Sequence, residues 1–557
     1  MGLVDPQVLV VGSGPAGLVL ALTLAQNGIP VRIIEKLDSF HNSQRGAGIQ
    51  ARSLELFKFL GVYDEIVTDS IPLLPVRNYK FPGGRETESI HSLLAPDVDA
   101  TPDIPFPNPR MLGQDRIEAI LRSHLTKLGV EIERSTELVK FQQDSNGVTA
   151  EILKRNLDNQ EIRETAHFNF LVGADGARGV TRKQLGLTFL GESTSNHVLI
   201  GDLFIKGLTS DVFHNWRPSA KEMIILRPTE TEGLFYGVLS TTDPSDFPKI
   251  SASKESLQEF INKTTTRDDI ILESIRTLAE FGPNIRMVNK FSEGRAFVVG
   301  DAAHVHSPAG GQGMNSSIQD SFNLGWKLSL VCKNVSPLSI LDTYNDERLP
   351  VIQAMLAKTT EVHNKLMQSD IKDKAAWDRP KSLNQLRVNF RWSSILVDEQ
   401  VEDHEDAKVV ARNAYGSETD DKLRAGDRAP DAPDLVDTNS NQKTSFYSIF
   451  KPTHHTALLF NPPASELPAI LESLATWPSG SVKPVVVLPQ GAGTTQDVDV
   501  AKDVLLLEDR DGHAYNSYKQ IVDGGFPIVI VRPDGVIGGI TKGPEGVKAY
   551  HEKLFVV

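Results

Sequence analysis

Apolar runs of strand length recur along the chain, and several of them end in glycine-rich turns. The first run covers residues 7–11 and is followed at once by Gly-Ser-Gly-Pro-Ala-Gly at 12–17. An apolar stretch of helical length fills 18–26, and a second short run over 31–35 ends in Glu35. This succession of strand, glycine turn, helix, strand and acid predicts a βαβ unit that binds a dinucleotide.

Each residue type in this unit suits dinucleotide binding for a physical reason. Gly12 permits the tight turn, Gly14 lets backbone amides approach a pyrophosphate, and Gly17 lets the helix pack on the strand. The N-terminus of the helix offers free N–H groups and about half a positive charge to the same phosphates. Glu35 can accept hydrogen bonds from ribose hydroxyls. We predict cofactor contacts here at Gly12, Gly14, Pro15, Ala16, Gly17, Glu35 and Lys36.

Two later segments repeat the pattern of a buried strand that ends beside an acid. Residues 168–176 end in Asp175-Gly176, and residues 295–301 end in Gly300-Asp301. Ligands bind outside the carboxyl ends of the strands in an open parallel sheet. We therefore expect these two ends and the first glycine turn to converge on one elongated ligand.

The hydrophobic pattern changes several times along the remaining chain. Eight prolines and short extended pieces fill 72–110, and residues 187–290 have a mostly β pattern. Residues 369–425 are charge-rich and weakly patterned, and a fresh alternation of strands and helices begins at Gly426. We predict a discontinuous cofactor domain (1–74, 111–186 and 291–368), a β-rich substrate layer (75–110 and 187–290), a connector (369–425) and a C-terminal domain (426–557).

Composition narrows the class of protein. A chain of 557 residues is too long to fold around one hydrophobic core, so several domains are expected. Its net charge of −14 argues against a nucleic-acid or anionic-membrane partner. The single cysteine, Cys332, excludes an intrachain disulfide framework, a cysteine-ligated zinc site and a dithiol redox centre. We expect no metal site, no membrane anchor and a cytoplasmic location.

The three strand-end motifs, together with the glycine loop before the helix at 313–331, resemble the flavin-dependent aromatic hydroxylases of the para-hydroxybenzoate hydroxylase type. The closer resemblance is to the phenol hydroxylase branch, which carries a C-terminal thioredoxin-like domain. Residues 175–182 are similar to that family's Asp-Gly motif, although Gly179 stands where the family usually has Ser. The stretches at 344–350 and 532–535 also fit, so the resemblance spans nearly the whole chain.

The resemblance implies an α/β fold with a Rossmann-like FAD-binding domain, an inserted, mostly β substrate domain, and a C-terminal thioredoxin-like domain without redox cysteines. It implies FAD as the cofactor and NAD(P)H, with NADPH favoured, as the electron donor. The expected partners are a phenolic small molecule and O2, and a homodimer is left open. The implied further cofactor contacts are Arg45, Gln50, Gln114, Asp175, Asp301, Pro308, Gly311, Gly313, Met314 and Asn315.

The implied reaction hydroxylates an aromatic ring through a flavin hydroperoxide. A free phenol titrates near 10, so holding it ionised at pH 7 takes about 4 kcal/mol. Tyr236 matches the substrate-contacting tyrosine of phenol hydroxylase, and Arg227 could hold a phenolate or carboxylate. A cross-strand tyrosine and a surface arginine are the alternatives. The family's acid falls on Ala47, which leaves the acid–base group open, and His304 is a weaker candidate.

Several alternatives remain at the level of the sequence. The substrate is either a simple phenol in catabolism or a larger phenolic metabolite in secondary-metabolite tailoring, and Ala47 favours the second. Oxidative decarboxylation is the same chemistry on a ring that carries a carboxylate. A flavin halogenase is disfavoured because the tryptophans form no Trp-x-Trp pair. A non-catalytic FAD-binding protein is the alternative of a different class, and the intact flavin loop argues against it.

Overall fold

A six-stranded sheet, parallel over its central strands, organises the predicted cofactor domain. The computed structural model describes residues 6–92, 97–156, 158, 160–193, 197–219, 221–282, 284–306, 310–368, 380–401, 413–417, 422–491, 504–522 and 526–556. In sheet order the strands are β20 (Ser292–Glu293), β21 (Ala296–Val298), β12 (Phe170–Gly173), β1 (Val8–Val11), β2 (Val31–Ile34) and β8 (Ile132–Glu133). Because β1 pairs in parallel with both β2 and β12, and β12 pairs in parallel with β21, the carboxyl ends of these strands share one edge.

The helix after the first glycine turn packs on this sheet. It is apolar on every face and buried from Ala16 to Leu24, because it contacts β1 and β2 of the sheet and two further helices, Gln114–Lys127 and Gly313–Cys332. The helices are α1 (Pro15–Gln26), α2 (Ala51–Leu60), α3 (Tyr63–Asp69), α4 (Gln114–Lys127), α5 (Val180–Gln184), α6 (Phe247–Ile250), α7 (Lys254–Thr265), α8 (Gly313–Cys332), α9 (Asp342–Gln368), α10 (Phe446–Ile449), α11 (Leu467–Ala475), α12 (His513–Ser517), α13 (Lys519–Val522) and α14 (Pro544–Leu554). Within the described ranges, none of these helices is both long and apolar enough to span a lipid bilayer.

The two predicted segments of the substrate layer meet in one seven-stranded sheet, which we call the substrate sheet. In sheet order its strands are β18 (Ile271–Phe281), β14 (Val198–Lys206), β17 (Leu234–Ser240), β16 (Met223–Pro228), β15 (Phe213–Trp216), β5 (Val76–Tyr79) and β6 (Thr87–His91). One face is apolar and packs Leu203, Leu226 and Phe235 against Leu257 and Ile261 of α7. Since side chains alternate along a strand, the neighbouring residues of β14, β16 and β17 lie on the opposite face.

Three small sheets complete this part of the chain. They are formed by β9 (Thr136–Gln143), β10 (Val148–Arg155) and β11 (Glu161–Phe168); by β13 (Leu190–Ser193), β19 (Asn284–Met287) and β22 (His304–Val305); and by β3 (Gly48–Ile49), β7 (Arg110–Met111) and β4 (Ile71–Pro72). The sequence places β13 and β19 in the substrate layer. They pair instead with each other and with β22, beside the Gly300-Asp301 turn.

The C-terminal domain contains an eight-stranded mixed sheet, and one of its strands comes from the predicted connector. Its strands, in sheet order, are β23 (Val397–Asp398), β30 (Ile537–Thr541), β29 (Ile528–Val531), β26 (His455–Phe460), β27 (Val482–Pro489), β28 (Leu505–Asp509), β24 (Leu435–Asp437) and β25 (Lys443–Thr444). The run from β26 to β28 is parallel, whereas β29 pairs antiparallel with both β26 and β30. The edge strand β23 comes from the connector, which is therefore part of this layer. The thioredoxin-like assignment stays a prediction.

Buried charges join the C-terminal domain to α8 and α9. Lys327 Nζ lies 2.8 Å from Glu347 Oε2, and Arg532 Nη1 lies 2.8 Å from Glu347 Oε1. Arg532 also pairs with Asp534, whose backbone carbonyl accepts a hydrogen bond from Arg52 Nη2 at 2.8 Å. Burial acts to raise the pKa of Glu347, but Arg532 and Lys327 outweigh it and hold that pKa well below its usual range. The carboxylate therefore stays ionised between two cations.

Candidate active site

The three predicted strand-end motifs are in contact. Gly12 has φ of +105°, and a Cβ there would lie 2.4 Å from the carbonyl oxygen of Ala174. A Cβ at Gly17 would lie 2.0 Å from the carbonyl oxygen of Gly12, and one at Gly300 would lie 3.1 Å from Ala16 Cβ. Only glycine fits these approaches. A Cβ at Gly14 would meet no atom within 4 Å, so the turn is open on the side where the pyrophosphate is predicted.

The α1 N-terminus and Glu35 form the adenosine end of the predicted site. Gly14 caps α1 without a side-chain hydrogen bond, so the first-turn N–H groups have no side-chain cap to compete with an anion. Glu35 Oε2 accepts both the N–H and the hydroxyl of Ser13 at 3.0 Å, and its Oε1 accepts the N–H of Leu37 at 3.1 Å. These bonds fix the carboxylate beside the turn. The neighbouring Lys36 is exposed.

Asp175 is held tightly at the end of β12. Its Oδ2 accepts the N–H and the hydroxyl of Thr181, both at 2.9 Å, and its Oδ1 has no hydrogen-bond partner among the described residues. Burial raises the pKa of Asp175, and the Thr181 bonds oppose it. A Cβ at Gly179 would lie 2.1 Å from Asp175 Oδ1. This close packing explains why glycine suits the position where the family has serine.

Asp301 lies in the turn that follows β21, and Asp320 holds this turn in place. The Asp301 side chain is exposed to solvent, yet protein surrounds it closely enough that burial raises its pKa, against the charges of His304 and Arg45. Asp320 of α8 accepts the N–H of Gly300 at 3.1 Å and His304 Nε2 at 2.7 Å. The fully buried His304 therefore has a structural partner in Asp320. Sequence analysis missed Asp320, whose only signal is an acid inside an apolar helix.

The predicted flavin loop is tied to the segment before α2. Gly310 and Gly311 have φ of +84° and +62°. Gln50 donates its N–H to Asn315 Oδ1 at 2.8 Å and its side-chain amide to the Gly310 carbonyl at 3.1 Å. Asn315 Nδ2 in turn donates to the Gly311 carbonyl at 2.7 Å. The loop leads into α8 at Gly313, and among the described residues no side chain caps this helix. A helix end without a side-chain cap agrees with the predicted contact between its N–H groups and the pyrimidine edge of a flavin.

Leu383 and Gln385 of the predicted connector form hydrogen bonds with Gln312 of this loop. Gln312 Nε2 donates to the carbonyl of Leu383 at 2.9 Å, and Gln312 Oε1 accepts from Gln385 Nε2 at 2.8 Å. Gln385 Oε1 accepts from Gln319 of α8 at 2.7 Å. The weak pattern of residues 369–425 gave no sign of these contacts, because each depends on a residue more than sixty positions away.

The remaining predicted cofactor contacts lie near one another, except for one that the structure does not describe. A Cβ at Gly46 would lie 3.7 Å from Gln114 Oε1 and 3.8 Å from Met314 Cβ. Arg45 is exposed with φ of +36°, and its charge acts on both Asp301 and Tyr236. Arg45 thus lies between the cofactor motifs and the substrate sheet. Pro308 lies outside the described residues.

Tyr236 and Arg227 occupy the polar face of the substrate sheet with Asp202. Asp202 pairs with Tyr236 across β14 and β17, and Tyr236 pairs with Arg227 across β17 and β16. Arg227 is only 6% exposed, so the surface alternative is wrong, and its guanidinium carbon lies 5.1 Å from the Tyr236 ring centroid. Burial raises the pKa of Tyr236, so its phenol is protonated at neutral pH and can donate a hydrogen bond.

The position of the family's acid lies in an apolar cluster. Ala47 is 3% exposed and packs with Val76, Met111 and Phe213. A carboxylate there would lose hydration without gaining a partner, which explains the alanine. Asp202 is a buried carboxylate on the face that carries Tyr236 and Arg227. Sequence analysis missed it, because a lone acid in an alternating strand is typical of a solvent-facing position.

Comparison with known proteins agrees with this geometry. A family model described as an FAD binding domain matches residues 5–359. The chain is 31% identical to a flavin-dependent monooxygenase of Mycobacteroides abscessus over 98% of both chains. It is 30% identical to pentachlorophenol 4-monooxygenase of Sphingobium chlorophenolicum, over 90% of this chain and 88% of that one. The solved ternary complex of aklavinone-11 hydroxylase with FAD and aklavinone has a TM-score of 0.77 at 22% identity, with 99% of each chain covered. The chain therefore belongs to the FAD-dependent aromatic monooxygenases.

Proposed function

We propose that this FAD-dependent monooxygenase hydroxylates a phenolic ring whose oxygen is held by Arg227 and Tyr236, with NADPH as electron donor and O2 as oxygen source. The observation that carries the proposal is the state of Arg227. It is buried, its Nη1 has no hydrogen-bond partner, and no carboxylate of the described residues forms an ion pair with it. Glu230 and Asp202 act on this guanidinium without pairing with it directly, and an anionic substrate oxygen in direct contact would lower the cost of burying its charge.

The free energy needed to ionise a bound phenol requires hydrogen bonds from both Arg227 and Tyr236. Ionising a phenol at pH 7 takes about 4 kcal/mol, whereas one charged hydrogen bond contributes roughly 1.5–3 kcal/mol. Arg227 alone therefore falls short, and a hydrogen bond from the Tyr236 hydroxyl supplies the remainder. Bound FAD supplies the oxygen-activating redox chemistry; the described residues orient the ring and exclude water from it.

The residues around the cleft fit FAD along its length. The uncapped α1 N-terminus beside Gly14 suits the pyrophosphate, and Glu35 and Asp301 suit the hydroxyls of the ribose and the ribityl chain. The uncapped N-terminus of α8 suits the flavin ring, where it would stabilise negative charge on the reduced cofactor. These assignments form part of the proposal.

A large phenolic metabolite is the substrate class we favour. Two observations support it: the likeness to aklavinone-11 hydroxylase along the whole chain, and the alanine in place of the acid of simple phenol hydroxylases. The relative named for pentachlorophenol keeps a single-ring phenol as the second candidate. A cytoplasmic location and a homodimer complete the proposal.

A panel of phenols tests this function. We expect a fused-ring phenol to accelerate NADPH oxidation by the holoenzyme and to yield a hydroxylated product with little peroxide. Single-ring phenols should release mostly peroxide. Tight coupling with a single-ring phenol would point to the catabolic role, and release of CO2 from a carboxylated ring would point to oxidative decarboxylation. If no phenol accelerates flavin reduction, the hydroxylase proposal fails.

Arg227→Met should lower kcat/KM by about 10- to 150-fold, which corresponds to the loss of one charged hydrogen bond. Tyr236→Phe should also lower kcat/KM by about 10- to 150-fold, because the Tyr236 hydroxyl donates to the same anionic oxygen. Steady-state kinetics with the best phenol measures both. The control is Arg85→Met, which removes an exposed arginine paired with Asp268 and Asp269 in the same layer. Unchanged kinetics in Arg227→Met would refute its role.

A further inference from the structure

One buried residue connects the substrate face to the cofactor loop. Gln44 has 0% exposed surface, and sequence analysis did not single it out. Its N–H donates to Asp202 Oδ2 at 3.0 Å. Its side-chain Oε1 accepts from Arg227 Nη2 at 3.3 Å, and its Nε2 donates to Glu230 Oε1 at 2.7 Å. Gln44 therefore bonds to three residues of the substrate layer, one of which is the proposed substrate-binding arginine.

The same residue fixes two predicted cofactor contacts. The Gln44 carbonyl accepts the N–H of Gln114 at 3.0 Å. Arg45 follows directly in the chain and adopts φ of +36°, a left-handed conformation that is costly for a residue with a side chain. The hydrogen bonds of the Gln44 N–H to Asp202 and of the Gln44 carbonyl to Gln114 hold Arg45 in this conformation. A displacement of Gln44 must therefore move Arg45 and disturb Gln114.

Only an amide satisfies both side-chain neighbours. Arg227 is a hydrogen-bond donor and Glu230 is an acceptor, so the Gln44 side-chain oxygen accepts from Arg227 and its nitrogen donates to Glu230. A methionine, which is of similar length, would form neither hydrogen bond. Glutamate would set two carboxylates against each other, although Glu230 also pairs with Arg116 at 3.2 Å. The site is closely packed, since a Cβ at Gly113 would lie 2.4 Å from Gln44 Nε2.

We propose that Gln44 is a positioning residue that couples substrate binding at Arg227 to the placement of Arg45 and Gln114, and thereby makes flavin reduction depend on bound substrate. The inference rests on the proposed function. The Arg227–Gln44 bond is the longest of the four bonds to Gln44, and it is the one that a substrate oxygen on Arg227 changes directly. A ligand shifts an arrangement only through such a differential contact, and the coupling is typically about 5- to 150-fold.

Anaerobic rapid mixing of the holoenzyme with NADPH tests the coupling. The quantity measured is the ratio of flavin reduction rates with and without the best phenol of the panel. We expect Gln44→Met to lower this ratio about fivefold or more relative to the natural chain. The matched control is Gln258→Met, which also removes a glutamine of the substrate layer with three close hydrogen bonds, to Asn262 and to the backbone of Ile270 and Leu272. It should keep the ratio.

A complementary exchange keeps the test valid if Gln44→Met fails to bind FAD. Gln44→Glu alone should lower the ratio, because it opposes Glu230. The double variant Gln44→Glu with Glu230→Gln removes the repulsion between the two carboxylates but leaves a carboxylate against Arg227, so it should bind FAD and keep a ratio about fivefold or more below that of the natural chain. A ratio that stays unchanged in Gln44→Met, or in the double variant as a folded holoenzyme, overturns the coupling. Absence of phenol stimulation in the natural chain would instead refute the proposed function.

Discussion

Gly17→Ala is expected to abolish FAD binding and to destabilise the fold by about 3 kcal/mol or more, the upper end of the cost of overpacking. Its Cβ would lie 2.0 Å from the carbonyl oxygen of Gly12, a backbone atom that cannot rotate away. Relief would require α1 to move off β1, and that movement would open the turn at the pyrophosphate. The measurements are FAD content after purification and the midpoint of thermal unfolding.

Two further glycine variants separate folding from binding. At Gly14 a Cβ meets no atom within 4 Å, so Gly14→Ala should fold normally and lose FAD affinity, because the methyl group enters the path of the pyrophosphate. Gly543→Ala, at an equally open position in the C-terminal domain, should change neither property. Normal FAD content in Gly17→Ala would contradict the packing argument, and normal affinity in Gly14→Ala would contradict the placement of the pyrophosphate.

Glu347→Ala is expected to destabilise the protein by about 3–5 kcal/mol, the cost of leaving buried charges without their partner. Lys327 and Arg532, each with a fully buried side chain, both lose their bond to this carboxylate. Denaturant titration followed by flavin fluorescence and far-UV circular dichroism measures the change.

The matched control for this variant is Glu151→Ala. Glu151 pairs with Lys140 at 2.8 Å, but the Lys140 and Glu151 side chains are 57% and 39% exposed, so the loss should be about 0–1 kcal/mol. Equal effects of the two substitutions would show that the buried charges at Glu347 contribute no more than a surface ion pair.

The features that could be predicted from the sequence are those whose reason is local. Gly12 and Gly17 follow from a turn between a strand and a helix, and the positive φ of Gly12 and the close backbone contacts of both glycines agree with that reason. Their contacts with FAD stay a prediction. The parallel pairing of β1, β12 and β21 follows from apolar runs that end beside an acid. The family and its fold follow from the same motifs.

The residues missed are those whose partners are distant in sequence. Gln44 bonds to residues 158, 183 and 186 positions away, and Arg532 bonds to Glu347 across 185 positions. Periodicity and turn chemistry report on neighbours within a few residues, so they carry no information about such pairs. Arg227 was expected from the sequence, but its burial depends on the loop at Gln44 covering it.

The charges around Glu347 also bear on how this enzyme could change during evolution. Arg532 and Asp534 belong to the same domain, so loss of that domain would remove one charge of each sign and leave Lys327 and Glu347 as a neutral pair. A substitution of Arg532 alone is different, because it would leave the buried Glu347 and Asp534 with Lys327 as their remaining partner in this cluster. Arg532 is therefore a position constrained by charges in both parts of the chain.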